Sequence, residues 1–214
     1  MINIVIIGAG GFGREVAWLI EDINKIQNEW NILGFIDDNK EAYGETINGV
    51  KVIGNVNSIQ EMGEIYVAVG VGSPTIKEKI IQKIKEFSNV RYTNLIHPSV
   101  IIAPYAKLGI GNIICANNIL SVNCKIHNFV TVNLDCTVGH DVILEDSVTV
   151  SPGVNLSGFV TVKKKTDIGT GSSVIQGITI GGNSIIGAGA VVVKDIPANC
   201  TAVGAPAKPI KFKE

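Results

Sequence analysis

The sequence predicts an α/β domain joined to an all-β coil, and three observations carry that reading. An aliphatic residue recurs at every sixth position without a break from Ile102 to Val192. A short apolar strand near the N-terminus runs straight into Gly8-Ala9-Gly10-Gly11-Phe12-Gly13 and a helical stretch. Strand-like and helix-like segments alternate up to about residue 95 and then stop. Neither the ~3.6-residue period of a helix nor the alternation of an ordinary strand has a six-residue beat.

In chain order, Asn3–Ile7 reads as a buried strand and Arg14 to about Ile23 as a helix. Ile32–Ile36 is a second strand that ends at Asp37-Asp38. Glu64–Val69 is a third, ending at Gly70-Val71-Gly72-Ser73, after which Pro74 opens a helix to about Phe87. Arg91–Leu95 reads as a fourth strand. This alternation means a parallel sheet with helices, a small Rossmann-like domain over residues 1–95. A short linker around Ile96-His97-Pro98 follows.

Gly8, Gly10 and Gly13 match GxGxxG after a strand and at a helix start. Such glycines allow a tight turn and let backbone N–H groups approach a diphosphate. The alternative is a tight strand–helix turn with no ligand. Asp37 and Asp38 follow the second strand, where a carboxylate can accept from ribose hydroxyls or a base edge. An ordinary solvated turn is the competing reading. Gly70 and Gly72 would form another backbone wall of the same crevice.

Residues 96–214 carry the beat. One short strand and one turn per hexad fit it, and three hexads close a triangular coil. The aliphatic residue points inward and stacks on its equivalent one coil later. Two positions before a beat the residue is usually small or β-branched, as at Ala106, Cys124, Val130 and Cys136, which lets the chain bend. Lys163-Lys164-Lys165 interrupts this pattern with a charge cluster.

A chain of 214 residues suggests one or two domains. Only 6% of residues are aromatic, as a thin prism filled with Val and Ile requires. A net charge of −1 gives no general case for nucleic acid or a membrane surface as partner. Cys115, Cys124, Cys136 and Cys200 form no CxxC pair and read as reduced cytosolic thiols. The apolar run Ile4–Ile7 is too short to span a bilayer or to serve as a signal segment. A cytoplasmic protein is expected.

Three histidines remain. His97 precedes a proline and reads as structural. His127 follows the beat residue Ile126 and should point outward as a surface histidine. His140 lies in Val138-Gly139-His140-Asp141, beside a corner and next to a carboxylate. That pair suits a general base and its supporting acid, or a surface His–Asp turn.

The opening IVIIGAGGFGREVA, the Gly34-Phe35-Ile36-Asp37-Asp38 run and the VAVGVGSP segment recur together with LIHPS, NLDCTVGHD, SPGV and VGAPAKP. With these motifs in this order over nearly all its length, the chain resembles the hexapeptide-repeat sugar acyltransferases. Within them it is similar to the bacterial nucleotide-4-amino-sugar N-acetyltransferases, of UDP-4-amino-sugar and GDP-perosamine type. Sialic acid O-acetyltransferase-like proteins share the architecture. The resemblance implies a left-handed parallel β-helix, acetyl-CoA as co-substrate, no metal and a homotrimer. It implies that His140 is the catalytic base and that Asp141 tunes it. Gly10, Gly11, Phe12, Asp37, Asp38 and Gly70 would contact the nucleotide sugar, and Asn133 would face the reaction site. Acetyl-CoA would lie in a groove between coils of two subunits, against Thr149, Gly158, Thr170 and Ala188. Lys163–Lys165 and the tail residues Lys208, Lys211 and Lys213 would either neutralise CoA phosphates or form a solvated face.

The implied reaction is direct acetyl transfer to the amine of a nucleotide-linked 4-amino-4,6-dideoxy sugar. O-acetylation of a sialic acid-type hydroxyl is the alternative. An NAD-dependent oxidoreductase would leave the coil without a purpose. A zinc enzyme resembling γ-class carbonic anhydrase needs converging histidines, whereas His127 and His140 should lie on different walls. A non-catalytic nucleotide-sugar binding protein is the remaining reading.

Overall fold

The apolar run near the N-terminus becomes β1 (Ile2–Ile7), a central strand whose last four residues are buried. The computed structural model describes residues 1–213. After β1 come α1 (Gly11–Ile26), β2 (Trp30–Ile36), β3 (Thr46–Ile47), β4 (Val50–Gly54), β5 (Ile65–Val69), α2 (Pro74–Ile84) and β6 (Val90–Arg91). The sheet order is β3-β4-β2-β1-β5-β6, parallel except for the β3–β4 pair. That hairpin was not among the expected strands. Its signal is Asn48-Gly49 between Ile47 and Val50, with both turn residues at positive φ (49° and 83°). An Asn-Gly pair favours this kind of two-residue turn. α2 starts where expected, with Pro74 in the first turn and the Ser73 hydroxyl accepting from the Ile76 N–H.

The sheet ends at Arg91, and Leu95–Ile96 is already the first rung of the coil. Ile96 and His97 therefore belong to the β-helix rather than to a linker, and the change of architecture falls at residues 92–94. From there the chain makes two-residue rungs at six-residue intervals, stacked in three parallel sheets. The first sheet runs from Leu95–Ile96 through Thr131–Val132 and Thr149–Val150 to Ile185–Ile186; we call it face A. Face B carries Ile119–Leu120, Thr137–Val138 and Asn155–Leu156. Face C carries Lys125–Ile126, Ile143–Leu144 and Thr161–Val162. Cys200–Val203 extends face A, and Lys208–Phe212 closes it as an antiparallel edge strand.

From Ile114 onward every beat residue is buried to within 2% of complete, and so are most residues two positions earlier, such as Cys124, Val130, Cys136 and Val142. Two side chains per hexad thus fill the prism. The corner is made by a residue with positive φ, mostly near +60°, three positions before each beat from Leu108 onward, as at Asp135 (58°), Asp141 (58°) and Phe159 (60°). Asn, Asp and Gly occupy most of these sites because they tolerate that conformation. Lys163–Lys165 does not interrupt the stack. Val162 pairs with Leu144 below and Ile180 above, and Lys165 supplies the left-handed corner residue (φ 59°).

The α/β domain docks on face A. Val16, Leu19 and Ile20 of α1 share one apolar core with Leu95, Ile113 and Cys115 of the coil. His97 has the structural role expected of it. One ring nitrogen meets Asp22 of α1 at 3.1 Å and the other meets the Ser99 hydroxyl at 2.8 Å. No helix among the described residues is long and apolar enough to cross a membrane.

Candidate active site

The turns between faces make three edges, and each histidine of the coil takes a different place on them. Gly139-His140-Asp141-Val142 connects face B to face C. One coil above, the same corner is Ser157-Gly158-Phe159-Val160. His127 follows a face C rung and sits on the edge between faces C and A. The two histidines are therefore on different edges, as expected. Among the described residues no cluster of three or more His, Cys, Asp or Glu is arranged to hold a metal ion.

Asp141 takes the left-handed corner position, which turns its carboxylate back towards the preceding ring. His140 Nδ1 lies 3.0 Å from Asp141 Oδ2. A carboxylate only accepts, so in the neutral ring Nδ1 carries the proton and Nε2 presents a lone pair. Nε2 has no hydrogen-bond partner among the described residues, and the histidine side chain is 45% exposed. The ring is fixed on two further sides. Phe159 meets it edge-on, with centroids 5.0 Å apart at 85°. Gly158 lies against it so closely that a β-carbon there would overlap Cε1 and Nε2. Phe159 also binds the loop through its N–H, which donates to the His140 carbonyl at 2.9 Å. The Gly158 N–H has no hydrogen-bond partner among the described residues. A free imidazole nitrogen and a free amide donor thus share one edge, one coil apart.

The second candidate region is the end of the α/β sheet. Gly10 caps α1 and Gly11 begins it, both exposed. Asp37 pins this turn: its carboxylate accepts from the Ala9 N–H and the Asn39 N–H, each at 2.9 Å. Asp38 accepts from the Val56 N–H at 3.2 Å. A cavity of about 210 Å³ opens between Gly8, Asp37, Asp38, Val56, Val71 and α2. Gly70 stands behind this crevice, buried against the Gly13 Cα, and Val71 forms the wall expected of it. The Phe12 ring is half-buried and packs on the core shared by α1 and the coil.

Over 215 residues the chain is 31% identical to the GDP-perosamine N-acetyltransferase of Escherichia coli, covering 96% of this chain and 95% of that one. The chain belongs to the hexapeptide-repeat sugar acetyltransferases. Residues 3–84 match the family model of the PglD N-terminal domain. The acetyltransferase domain of PglB from Neisseria gonorrhoeae, solved with acetyl coenzyme A, superposes with a TM-score of 0.89 at 33% identity, covering 97% of this chain and 98% of that one. PerB from Caulobacter crescentus, solved with CoA and GDP-perosamine, superposes with a TM-score of 0.85 at 30% identity, covering 98% and 97%. The chain is thus an acetyltransferase whose fold is a Rossmann-like domain on a left-handed parallel β-helix.

Within this acetyltransferase fold the remaining expected residues separate. Asn133, Thr170 and Ala188 lie on the edge between faces A and B, not beside His140. Thr170 and Ala188 are exposed there, and Asn133 Oδ1 accepts from the Leu134 N–H at 2.7 Å. Thr149 does not fit the cofactor role expected of it. It sits on face A, 5% exposed, beneath the α/β domain of its own chain. Lys163 pairs with Glu145 at 2.9 Å on the third edge, away from His140. Lys213, from the tail, donates to the Asn183 carbonyl at 2.6 Å. Sequence reasoning missed Phe159 as the wall of the histidine. Its signal was a bulky residue at a corner position that Asn, Asp or Gly usually fills.

Proposed function

We propose that the protein transfers the acetyl group of acetyl-CoA to the amine of a nucleotide-linked 4-amino-4,6-dideoxy sugar, with His140 as general base. The observation that carries this reading is the His140 Nδ1–Asp141 contact of 3.0 Å, which turns Nε2, without a hydrogen-bond partner among the described residues, towards the corner that holds Gly158. Nucleotide-sugar N-acetyltransferases among the relatives support the same class of reaction.

The nucleotide sits in the crevice at Gly10, Gly11, Asp37 and Asp38, with its diphosphate at the start of α1. The sugar amine attacks the thioester carbonyl, and a C–N bond forms. His140 Nε2 takes the proton that the nitrogen sheds. The Gly158 N–H donates to the carbonyl oxygen as it becomes negative. The C–S bond then breaks, and the proton passes from His140 to the CoA thiolate. Asp141 fixes the ring and offsets the positive charge it gains. Base assistance of this kind contributes about 10²–10⁴-fold.

α1, which begins at the crevice, packs against Cys115 and Leu134 on the A–B edge, whereas His140 lies on the B–C edge. One chain therefore presents the two halves of the site on different edges. A homotrimer in which neighbouring subunits bring these edges together completes it, with acetyl-CoA between them against Gly158, Thr170 and Ala188. Ile119, Val122, Phe159 and Ile175 on face B and its edge are exposed apolar residues suited to that contact.

The test is release of CoA from acetyl-CoA in the presence of UDP-, GDP- and dTDP-linked 4-amino-4,6-dideoxy sugars, with His140→Ala in parallel. One nucleotide sugar should give free thiol, and the variant should not. Thiol release with sugar hydroxyls alone would replace this reading with O-acetylation.

A further inference from the structure

Lys77 is 1% exposed, and among the described residues no carboxylate lies within ion-pairing distance of its ammonium. It extends from α2 into the seam between the two domains. There its three N–H bonds are all used: to Thr131 Oγ1 at 3.1 Å, to Thr149 Oγ1 at 3.1 Å and to the Val148 carbonyl at 3.2 Å. Thr149 passes the contact on, its hydroxyl donating to the Gly72 carbonyl at 2.9 Å. Gly72 belongs to the segment between β5 and α2, whose neighbour Val71 lines the nucleotide crevice. One residue along α2, Glu78 accepts from the Ser147 hydroxyl at 2.6 Å, a second bond across the same seam.

The stacked outward positions in the middle of face A are Ile113, Thr131, Thr149, Asp167 and Ile185. The polar ones stand where Lys77 arrives. A buried ammonium is costly, and an apolar side chain of similar size is often the more stable filler. Lysine here supplies directional bonds that an apolar contact lacks.

We infer that Lys77 is a positioning residue: with Thr131 and Thr149 it clamps the Gly70–Ser73 wall of the nucleotide crevice onto face A and so sets the crevice relative to the coil. The consequence for catalysis rests on the acetyl-transfer reading above, while the clamp itself does not. Removing it lets the crevice wall open without disturbing the edge that carries His140.

The experiment uses the full-length protein and the variants Lys77→Met and Thr149→Val. Amide hydrogen exchange of residues 70–77 is compared with that of the coil, alongside the KM for the nucleotide sugar and for acetyl-CoA. Loss of the three bonds that Lys77 donates corresponds to roughly tenfold or more in a local opening equilibrium. Exchange in this segment should quicken by about that factor in Lys77→Met and less in Thr149→Val. The nucleotide-sugar KM should rise, and the acetyl-CoA KM should stay as it is. Unchanged exchange at residues 70–77 overturns the clamp, and faster exchange with an unchanged nucleotide-sugar KM overturns its role in positioning the crevice. If Lys77→Met fails to fold, Thr149→Val decides alone. If the native protein acetylates no amino sugar, the exchange result still decides the clamp, and only the substrate reading fails.

Discussion

His140 and Gly158 stand one coil apart on the same edge, and the imidazole fills the space that a β-carbon on Gly158 would need. Gly158→Ala is therefore a mutation of the histidine's position rather than of its chemistry. The added methyl displaces Nε2 and crowds the N–H proposed to meet the thioester carbonyl. We expect kcat to fall about 10²-fold or more, the range for losing one oxyanion donor or misplacing a base. The melting midpoint should move much less than kcat, because the ring is nearly half exposed and can swing into solvent. A kcat loss matched by unfolding would refute this account.

Asp141 has two duties that substitution can separate. Its φ of 58° demands a residue that tolerates the left-handed region, and its carboxylate holds Nδ1. Asparagine keeps the backbone conformation and loses the charge. Alanine loses both. Asp141→Asn should lower kcat with little change in stability, whereas Asp141→Ala should lower both. Thermal melting beside CoA-release kinetics distinguishes them, and equal destabilisation by the two would show that the carboxylate is structural.

The glycines of the N-terminal turn also divide. A β-carbon on Gly13 would overlap the Gly8 carbonyl oxygen, while one on Gly10 meets nothing within 4 Å, and Gly10 has an ordinary φ of −71°. Gly13→Ala should destabilise the α/β domain by about 1–3 kcal/mol, the usual cost of overpacking. Gly10→Ala should leave the melting midpoint in place and weaken nucleotide affinity by crowding the start of α1. Calorimetric titration with UDP, GDP and dTDP reads the second effect. Wild-type affinity in Gly10→Ala would remove the diphosphate from this turn.

These contrasts show what the sequence carried. The beat from Ile102 to Val192 fixes inside and outside at each rung, so the coil and the edge holding His140 were legible residue by residue. The glycine turn was legible for the same reason, since backbone chemistry there depends on neighbours in sequence, whereas the bond from the Ala9 N–H to Asp37, expected only to face a nucleotide, joins residues 28 apart. Packing between the domains was not legible. Thr149 reads as one more outward position, and only the docking of α2 turns it into a buried partner of Lys77. Lys77 itself looks like a solvated helix lysine beside Lys79 and Lys83. Long-range burial of this kind leaves no local periodic trace.

The seam also gives stability a pH dependence with a definite sign. Burial lowers the Lys77 ammonium to about 7 from an ordinary 10.5, with Asp167 and Glu78 only partly offsetting it. Between those values the unfolded chain holds more protons than the folded one, so stability rises with pH over that interval. The buried thiols act in the opposite sense. Burial raises Cys115 to about 12 and Cys124 and Cys136 to about 11, from an ordinary 9. The folded chain keeps those protons longer, so their contribution is intact below pH 9 and is lost as pH rises through 11 to 12. The window from pH 7 to 9 therefore belongs to the lysine among these groups. Urea unfolding across that window should show stability increasing with pH in the native protein, and a flatter profile in Lys77→Met. Identical slopes in the two proteins would mean that Lys77 keeps its proton throughout, held by its three oxygen acceptors against the cost of burial.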